Sequence, residues 1–263
     1  CLLTGFDSNA QEYNYINYDV KDGLAGSTVY AMCQDKDGFM WFATDAGVSR
    51  FDGTQFKNFS TADGLPETEI LSLFADSSGR VWMAPFKSTV CYYYKGKIYN
   101  QQNDSLLKKI NLRRVVYAFA EDREDSSIVL ATGQNFFVIK ISTGEVKEIE
   151  NMLSSALVRF GSNPFGKGVI CATNDKILTI TKGKLEVALQ IQAPPGTYVS
   201  EIFRDGTVKF IKHPTGPSLV ENIISPANSI KVSFVNSTTG SWMVDSVKSD
   251  RFSQVFLPGK NIS

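Results

Sequence analysis

The amino-acid sequence predicts an all-β fold of repeated four-stranded units, and three observations predict it. The stretch Asp35-Lys36-Asp37-Gly38-Phe39-Met40-Trp41-Phe42-Ala43 returns 41 residues on as Asp76-Ser77-Ser78-Gly79-Arg80-Val81-Trp82-Met83-Ala84, and Asp22-Gly23-Leu24 returns at the same spacing as Asp63-Gly64-Leu65. Between these landmarks apolar residues alternate with a strand period rather than a helical one. The runs are punctuated by the turn formers Asp37-Gly38, Ala46-Gly47 and Asp52-Gly53. A period of roughly 40 to 50 residues with this grammar marks the blade of a β-propeller, a ring of four-stranded antiparallel sheets.

The units follow in order. Tyr15, Asn17 and Tyr18 stand 41 residues before Phe56, Asn58 and Phe59, so residues 13–18 match an outer strand with no blade upstream of it. Blade one, near 27–60, holds strand signals at 29–34, 39–44, 48–51 and 55–59. Blade two, near 68–100, turns at Lys95-Gly96-Lys97. Blade three, near 115–149, and blade four, near 155–192, carry Val129-Leu130-Ala131-Thr132 and Ile170-Cys171-Ala172-Thr173, whose alanines are again 41 apart. Their outer turns are Ser142-Thr143-Gly144-Glu145 and Lys182-Gly183-Lys184. Asp205-Gly206-Thr207-Val208-Lys209-Phe210 and Thr239-Gly240-Ser241-Trp242-Met243-Val244 supply a fifth unit near 197–222 and a sixth near 229–257. The sixth has three strands, so the orphan at 13–18 is expected to complete it and close the ring; an open, truncated array is the alternative.

Residues 38–65, GFMWFATDAGVSRFDGTQFKNFSTADGL, resemble the two-component regulator propeller repeat. They share its Asp-Gly turn, apolar-Trp-apolar strand, Thr-x-x-Gly turn, Arg-Phe-Asp-Gly hairpin and closing Asp-Gly-Leu. The resemblance implies a seven-bladed propeller of which about six blades are visible. It also implies the periplasmic sensor region of a bacterial histidine kinase or hybrid two-component system responding to glycans. Its expected partners are an oligosaccharide or other small ligand, downstream signalling domains of the same protein, and a second copy in a homodimer.

Composition fits one β-rich domain over 11–263. Twenty-seven basic and 27 acidic residues cancel, so no net charge draws the chain to nucleic acid or an anionic membrane. A propeller accommodates 263 residues because each blade packs only on its neighbours. Residues 1–10 end in Ser8-Asn9-Ala10 before Gln11, the small-x-small form of a signal-peptide end, and predict export to the periplasm or outside. The competing reading makes Cys1 a lipidated residue. Cys33, Cys91 and Cys171 fall singly in strand-like runs and read as buried small hydrophobes, with no zinc-type spacing.

Catalytic chemistry is hard to assemble from these residues. His213 is the only histidine, in a Pro-Gly loop without a nucleophile elbow or metal-binding pair. Asp35, Asp37 and Asp76 lack the ligand series of a calcium loop and suit Asx-type turns. No cofactor or metal is expected. Trp41 and Trp82 recur at one place in the blade, which favours wedges between blades over sugar-stacking platforms. Tyr92-Tyr93-Tyr94 alternates faces, so at least one ring is expected at the surface. Ligand binding is expected on one rim, where second-to-third-strand turns and blade connections converge; there Asp45, Lys87, Gln134 and Asn174 occupy comparable turns with differing chemistry. Solvated turn residues with no ligand are an equal alternative.

The function expected is therefore an exported, non-catalytic, ligand-sensing propeller. A polysaccharide-active enzyme using carboxylates such as Asp45 or Glu67, and a secreted interaction scaffold, remain the alternatives.

Overall fold

The computed structural model describes residues 16–87, 89–133, 135–150, 159–162, 168–172, 176–190, 197–202, 208–212, 218–225, 229–236 and 242–248. Within them the chain is a β-propeller of sequential antiparallel sheets. The first sheet contains β1 (Val29–Gln34), β2 (Met40–Thr44), β3 (Gly47–Phe51) and β4 (Phe56–Phe59). The second contains β5 (Ile70–Ala75), β6 (Val81–Pro85), β7 (Cys91–Tyr94) and β8 (Lys97–Tyr99). The third runs through β9 (Val116–Asp122), β10 (Ser127–Thr132), β11 (Asn135–Lys140) and β12 (Glu145–Glu150), and the fourth through β13 (Arg159–Ser162), β14 (Val169–Ala172), β15 (Lys176–Thr181) and β16 (Lys184–Gln190). The opening strands β1, β5, β9, β13 and the first strand of a fifth sheet lie side by side in succession, the arrangement of inner strands around a propeller axis.

The fifth sheet departs from expectation. Residues 197–222 and 229–257 were expected as separate blades, yet β17 (Thr197–Ile202), β18 (Val208–Lys212), β19 (Ser218–Ser225), β20 (Ser229–Asn236) and β21 (Trp242–Lys248) form one five-stranded sheet. β19 and β20 pair continuously from Ser218↔Asn236 to Ser225↔Ser229, straight across the expected boundary. Only three residues of sequence separate β19 from β20. A new blade needs a link that crosses from an outer edge to the next inner strand, as residues 60–69 do between β4 and β5.

That crossing link has its own local code. Ser60 accepts from the Ala62 N–H, the Asp63 carboxylate accepts from the Ser60 N–H at 2.8 Å, and Gly64 leaves the single turn with φ 108°. Asp19, Asp22 and Gly23 build the same turn one period earlier. Each is then stapled to the adjoining outer strand or its end: the Asn58 amide donates to the Gly23 carbonyl at 2.9 Å, and the Asn100 amide to the Gly64 carbonyl at 2.8 Å. The Asp-Gly-Leu repeat is thus a blade-to-blade connector, and its leucines, Leu24 and Leu65, are buried.

Apolar cores lie at the seams between sheets. One seam gathers Trp41, Val48, Phe59 and Leu65 against Ile70, Leu73, Met83 and Ile98; the next gathers Trp82, Tyr92, Leu107 and Ile110 against Val116, Phe119, Leu130 and Ile139. A third joins Val129, Phe136 and Val138 to Val169, Cys171 and Leu178. Trp41 and Trp82 are fully buried. Cys91 and Cys171 are buried and Cys33 half-buried, all three as free thiols; burial pushes the Cys33 thiol up to about 12 and raises the other two further.

At the amino-terminal end, residues 16–18 do not form the expected outer strand. Tyr18 instead rests its ring on Phe51 and Phe56, with centroids 5.0 and 5.6 Å away, so this segment packs on the first sheet. Residues 13–15, like the signal-like segment 1–10, lie outside the described residues.

The turn between β2 and β3 shows how tightly a blade is closed. Thr44 Oγ1 donates to the Gly47 carbonyl at 2.9 Å and accepts from the Ala46 N–H at 3.1 Å. Gly47 has φ 123°, and a Cβ there would stand 2.4 Å from the Phe59 carbonyl oxygen, a rigid backbone atom. Gly47→Ala should lower stability by about 1–3 kcal/mol, read as a reduced urea midpoint with an unchanged m-value. An unchanged midpoint would show that β4 moves aside freely.

Candidate functional site

The rim that carries the β2–β3 turn is built by two devices. The first is a hydrogen-bonded splice between that turn and the incoming connector. The Asp45 N–H donates to the Thr28 carbonyl, and Asp45 Oδ1 accepts from the Thr28 N–H, both at 3.2 Å. In the second blade the Phe86 N–H donates to the Glu69 carbonyl at 3.0 Å. Since 69 and 86 are 28 and 45 plus the 41-residue period, the residue equivalent to Asp45 is Phe86, one position before Lys87. The turn between β6 and β7 is longer than that between β2 and β3, but it begins at Phe86, so its extra length falls after that position.

The second device is a β-bulge near the start of the inner strand. Register slips between Val29 and Ala31 in β1, between Ile70 and Ser72 in β5, and opposite Ala131/Thr132 in β9. The skipped residues are Tyr30, Leu71 and Tyr117. A bulge re-aims the side chain it carries, and both tyrosines are exposed, as is Phe86. Tyr117 lies beside the β10–β11 turn, 3.7 Å from where a Cβ on Gly133 would be.

Polar groups tie these aromatics together across blades. The Tyr30 hydroxyl donates to Glu69 Oε1 at 2.7 Å, joining the first inner strand to the second blade's connector. That hydrogen bond, with burial and the charges of Glu69 and Asp45, raises the phenol above its ordinary acidity range and keeps it a neutral donor. Lys87 pairs with Glu67 on the same connector. Exposed Arg113 and Arg114 precede β9 at the corresponding connector of the third blade.

Of the four rim residues expected to bind, Asp45 and Lys87 therefore sit on this face, Asp45 held by the Thr28 backbone and Lys87 by Glu67. Gln134 and Asn174 lie outside the described residues, as does His213. Sequence reasoning missed Tyr30, Glu69, Phe86 and Tyr117. A period count would have found Phe86, but the bulges that expose the tyrosines leave no mark in composition. Among the described residues no three or more His, Cys, Asp or Glu side chains gather as a metal site. No helix among them is long and apolar enough to cross a membrane.

Comparison with known proteins agrees with this architecture. Residues 23–46 match the family model described as the two component regulator propeller. Among solved structures, the chain is similar to the extracellular domain named as that of the hybrid two-component system BT3049 from B. thetaiotaomicron, at 15% identity and TM-score 0.60 over 90% of this chain and 37% of that one. It is similar too to the extracellular domain of the hybrid two-component system BT4673 from the same organism, at 13% identity and TM-score 0.53, covering 89% of this chain and 29% of that one. The WD40 β-propeller domain of Doa1 aligns at 13% identity and TM-score 0.50, over 69% of this chain and 60% of that one. The chain thus spans about a third of the length of the two-component domains it resembles. No curated protein matches it in sequence.

Proposed function

We propose that this chain is the ligand-sensing propeller of an exported two-component signalling protein, and that it binds a glycan on the rim just described without transforming it. The observation that carries the reading is the pair of bulges that turn Tyr30 and Tyr117 outward onto the rim that also bears Phe86. Exposed rings offer flat apolar faces to the C–H side of a pyranose, and the adjacent Asp45, Glu67, Glu69 and Lys87 supply acceptors and a donor for hydroxyls. Glu67 is engaged by an ammonium and Asp45 by a backbone amide, an arrangement that serves orientation better than proton transfer. The two-component repeat at 23–46 supports the signalling context. Binding would then bias propeller orientation or a contact between two copies, and segments downstream would read that bias.

A panel of oligosaccharides titrated calorimetrically, with the same mixtures analysed for cleavage products, tests this. Tyr30→Ala, Phe86→Ala and Tyr117→Ala should each weaken binding by about 2 kcal/mol, roughly 30-fold. Asp45→Asn and Lys87→Ala should weaken it by less than about tenfold. Affinity untouched by all five substitutions would move the site elsewhere. Products that vanish in Asp45→Asn or Glu67→Gln would replace the sensor by an enzyme.

A further inference from the structure

On the opposite rim, a cleft of about 250 Å³ opens between the first and second blades, lined by Lys36, Phe39, Arg50, Tyr93, Tyr94 and Lys95, with Asp35 and Asp37 at its turn side. We propose that this cleft binds the carboxylate of a small organic acid, with Arg50 as its anchor.

The inference rests on comparing two equivalent positions. In blade two, Arg80 immediately precedes β6, its guanidinium lies 5.7 Å from the Tyr92 ring centroid, and Asp76 balances it at 3.7 Å. In blade one the same couple is present with its members exchanged. Phe39 takes the place of Arg80, 41 residues earlier, and Arg50 faces Trp41 across the ladder as Tyr92 faces Trp82. Arg50 stacks on Phe39 at 4.3 Å from the ring centroid.

What the exchange leaves out is the acid. Asp35, the counterpart of Asp76, spends Oδ1 on the Asp37 and Phe39 N–H groups at 3.0 Å and Oδ2 on the Trp41 indole at 2.7 Å, and makes no ion pair with Arg50. Tyr92 in blade two donates its hydroxyl to Asp104 at 2.6 Å, an acid supplied by the following connector. Among the described residues Arg50 hydrogen-bonds only the Tyr93 hydroxyl, at 3.2 Å from Nη1. Its guanidinium carries five N–H donors in a fork suited to a carboxylate, and the aromatic stacking holds that fork in place at the wall of the cleft. Lys36 and Lys95 add positive charge at its mouth; Lys36 is steadied by the Ser78 carbonyl at 3.3 Å, and Lys95 lies 5.2 Å from the Tyr94 ring centroid. With Asp35 and Asp37 counted, the cleft is left with one net positive charge (three cations less two anions). Tyr93 and Tyr94, both half-buried, give the body of such a ligand an apolar wall.

The intact protein labelled with 15N-tryptophan tests the site, because Tyr93 links the cleft to Trp41 at 4.8 Å between ring centroids. Glucuronate and benzoate, each beside its neutral counterpart glucose or benzyl alcohol, are titrated while the indole resonances are followed. At least one acid should shift the Trp41 indole saturably, and which one responds separates a sugar acid from an aromatic acid. Arg50→Gln should weaken the response at least about tenfold. Should that variant lose its folded spectrum, Lys36→Gln/Lys95→Gln, which alters exposed side chains only, should weaken binding several-fold and flatten its salt dependence. The proposal is overturned by acids that shift nothing, by neutral counterparts that act as strongly, or by binding unchanged in both variants. The rim reading is untouched by any of these results, since its residues lie on the other face.

Discussion

Trp41→Ala and Trp82→Ala are each expected to remove about 3–5 kcal/mol of stability, the largest single-residue effects in this molecule. Both indoles are fully buried at a seam between two sheets. Trp41 stacks on Phe59 with centroids 5.4 Å apart and meets Tyr93 at 4.8 Å, so truncation opens a void bordered by two blades at once. The second blade depends in the same way on Trp82, which packs on Tyr92 at 5.0 Å. Rigid, ladder-paired strands on both sides leave little scope for collapse into the void. Urea unfolding of each variant measures the cost. A loss below about 1 kcal/mol for both would show that the seams are held by something other than their tryptophans.

The propeller was readable in the sequence because its repeat is also its unit of packing. A 41-residue period survives wherever one blade must present the same face to the next, and the strongest copies of the motif lie in the first two blades. Past them the sequence carries only isolated strand signals. Those locate strands but not the links between them, and only a link's length distinguishes a hairpin from a crossing. This is why 197–222 and 229–257 read as separate units while β17 to β21 share one sheet. The 13–18 segment misled for a related reason: Tyr18 has the aromatic character of Phe59, but its ring is used to cover Phe51 and Phe56 and not to enter a ladder.

The rim was legible as a place and only partly as a set of residues. Turns between second and third strands must emerge on one face, which located Asp45 and Lys87. Phe86 stands one 41-residue period after Asp45 and follows from spacing alone, whereas the bulges that brought out Tyr30 and Tyr117 are backbone events that residue types do not encode. The cleft beneath Arg50 was hidden for another reason. Its significance lies in an arginine–carboxylate ion pair that blade two makes and Arg50 in blade one does not, and that comparison requires the strand register.

The aspartates of the first turn show the same limit, and they yield a sharp expectation. Read as sequence, Asp35, Asp37 and Asp76 are equivalent turn formers; in the fold they differ. Asp76 is buried, accepts from the Arg80 N–H at 2.8 Å, from the Trp82 indole at 3.0 Å, and pairs with the Arg80 guanidinium. Removing its carboxylate strands a buried indole N–H and a guanidinium together, so Asp76→Ala should cost about 3 kcal/mol. Asp35→Ala breaks the matching bond to Trp41 in a more open turn and should cost about 2 kcal/mol. Asp37 is exposed, and Asp37→Ala should change stability by less than about 0.5 kcal/mol. The double variants Asp76→Ala/Trp82→Phe and Asp35→Ala/Trp41→Phe add a second reading, because phenylalanine has no N–H to strand: each should lose less than the sum of its single substitutions. Equal costs at Asp76 and Asp37, or strict additivity in both cycles, would mean that the aspartates shape turns only and that the indole bonds contribute nothing to holding the seams.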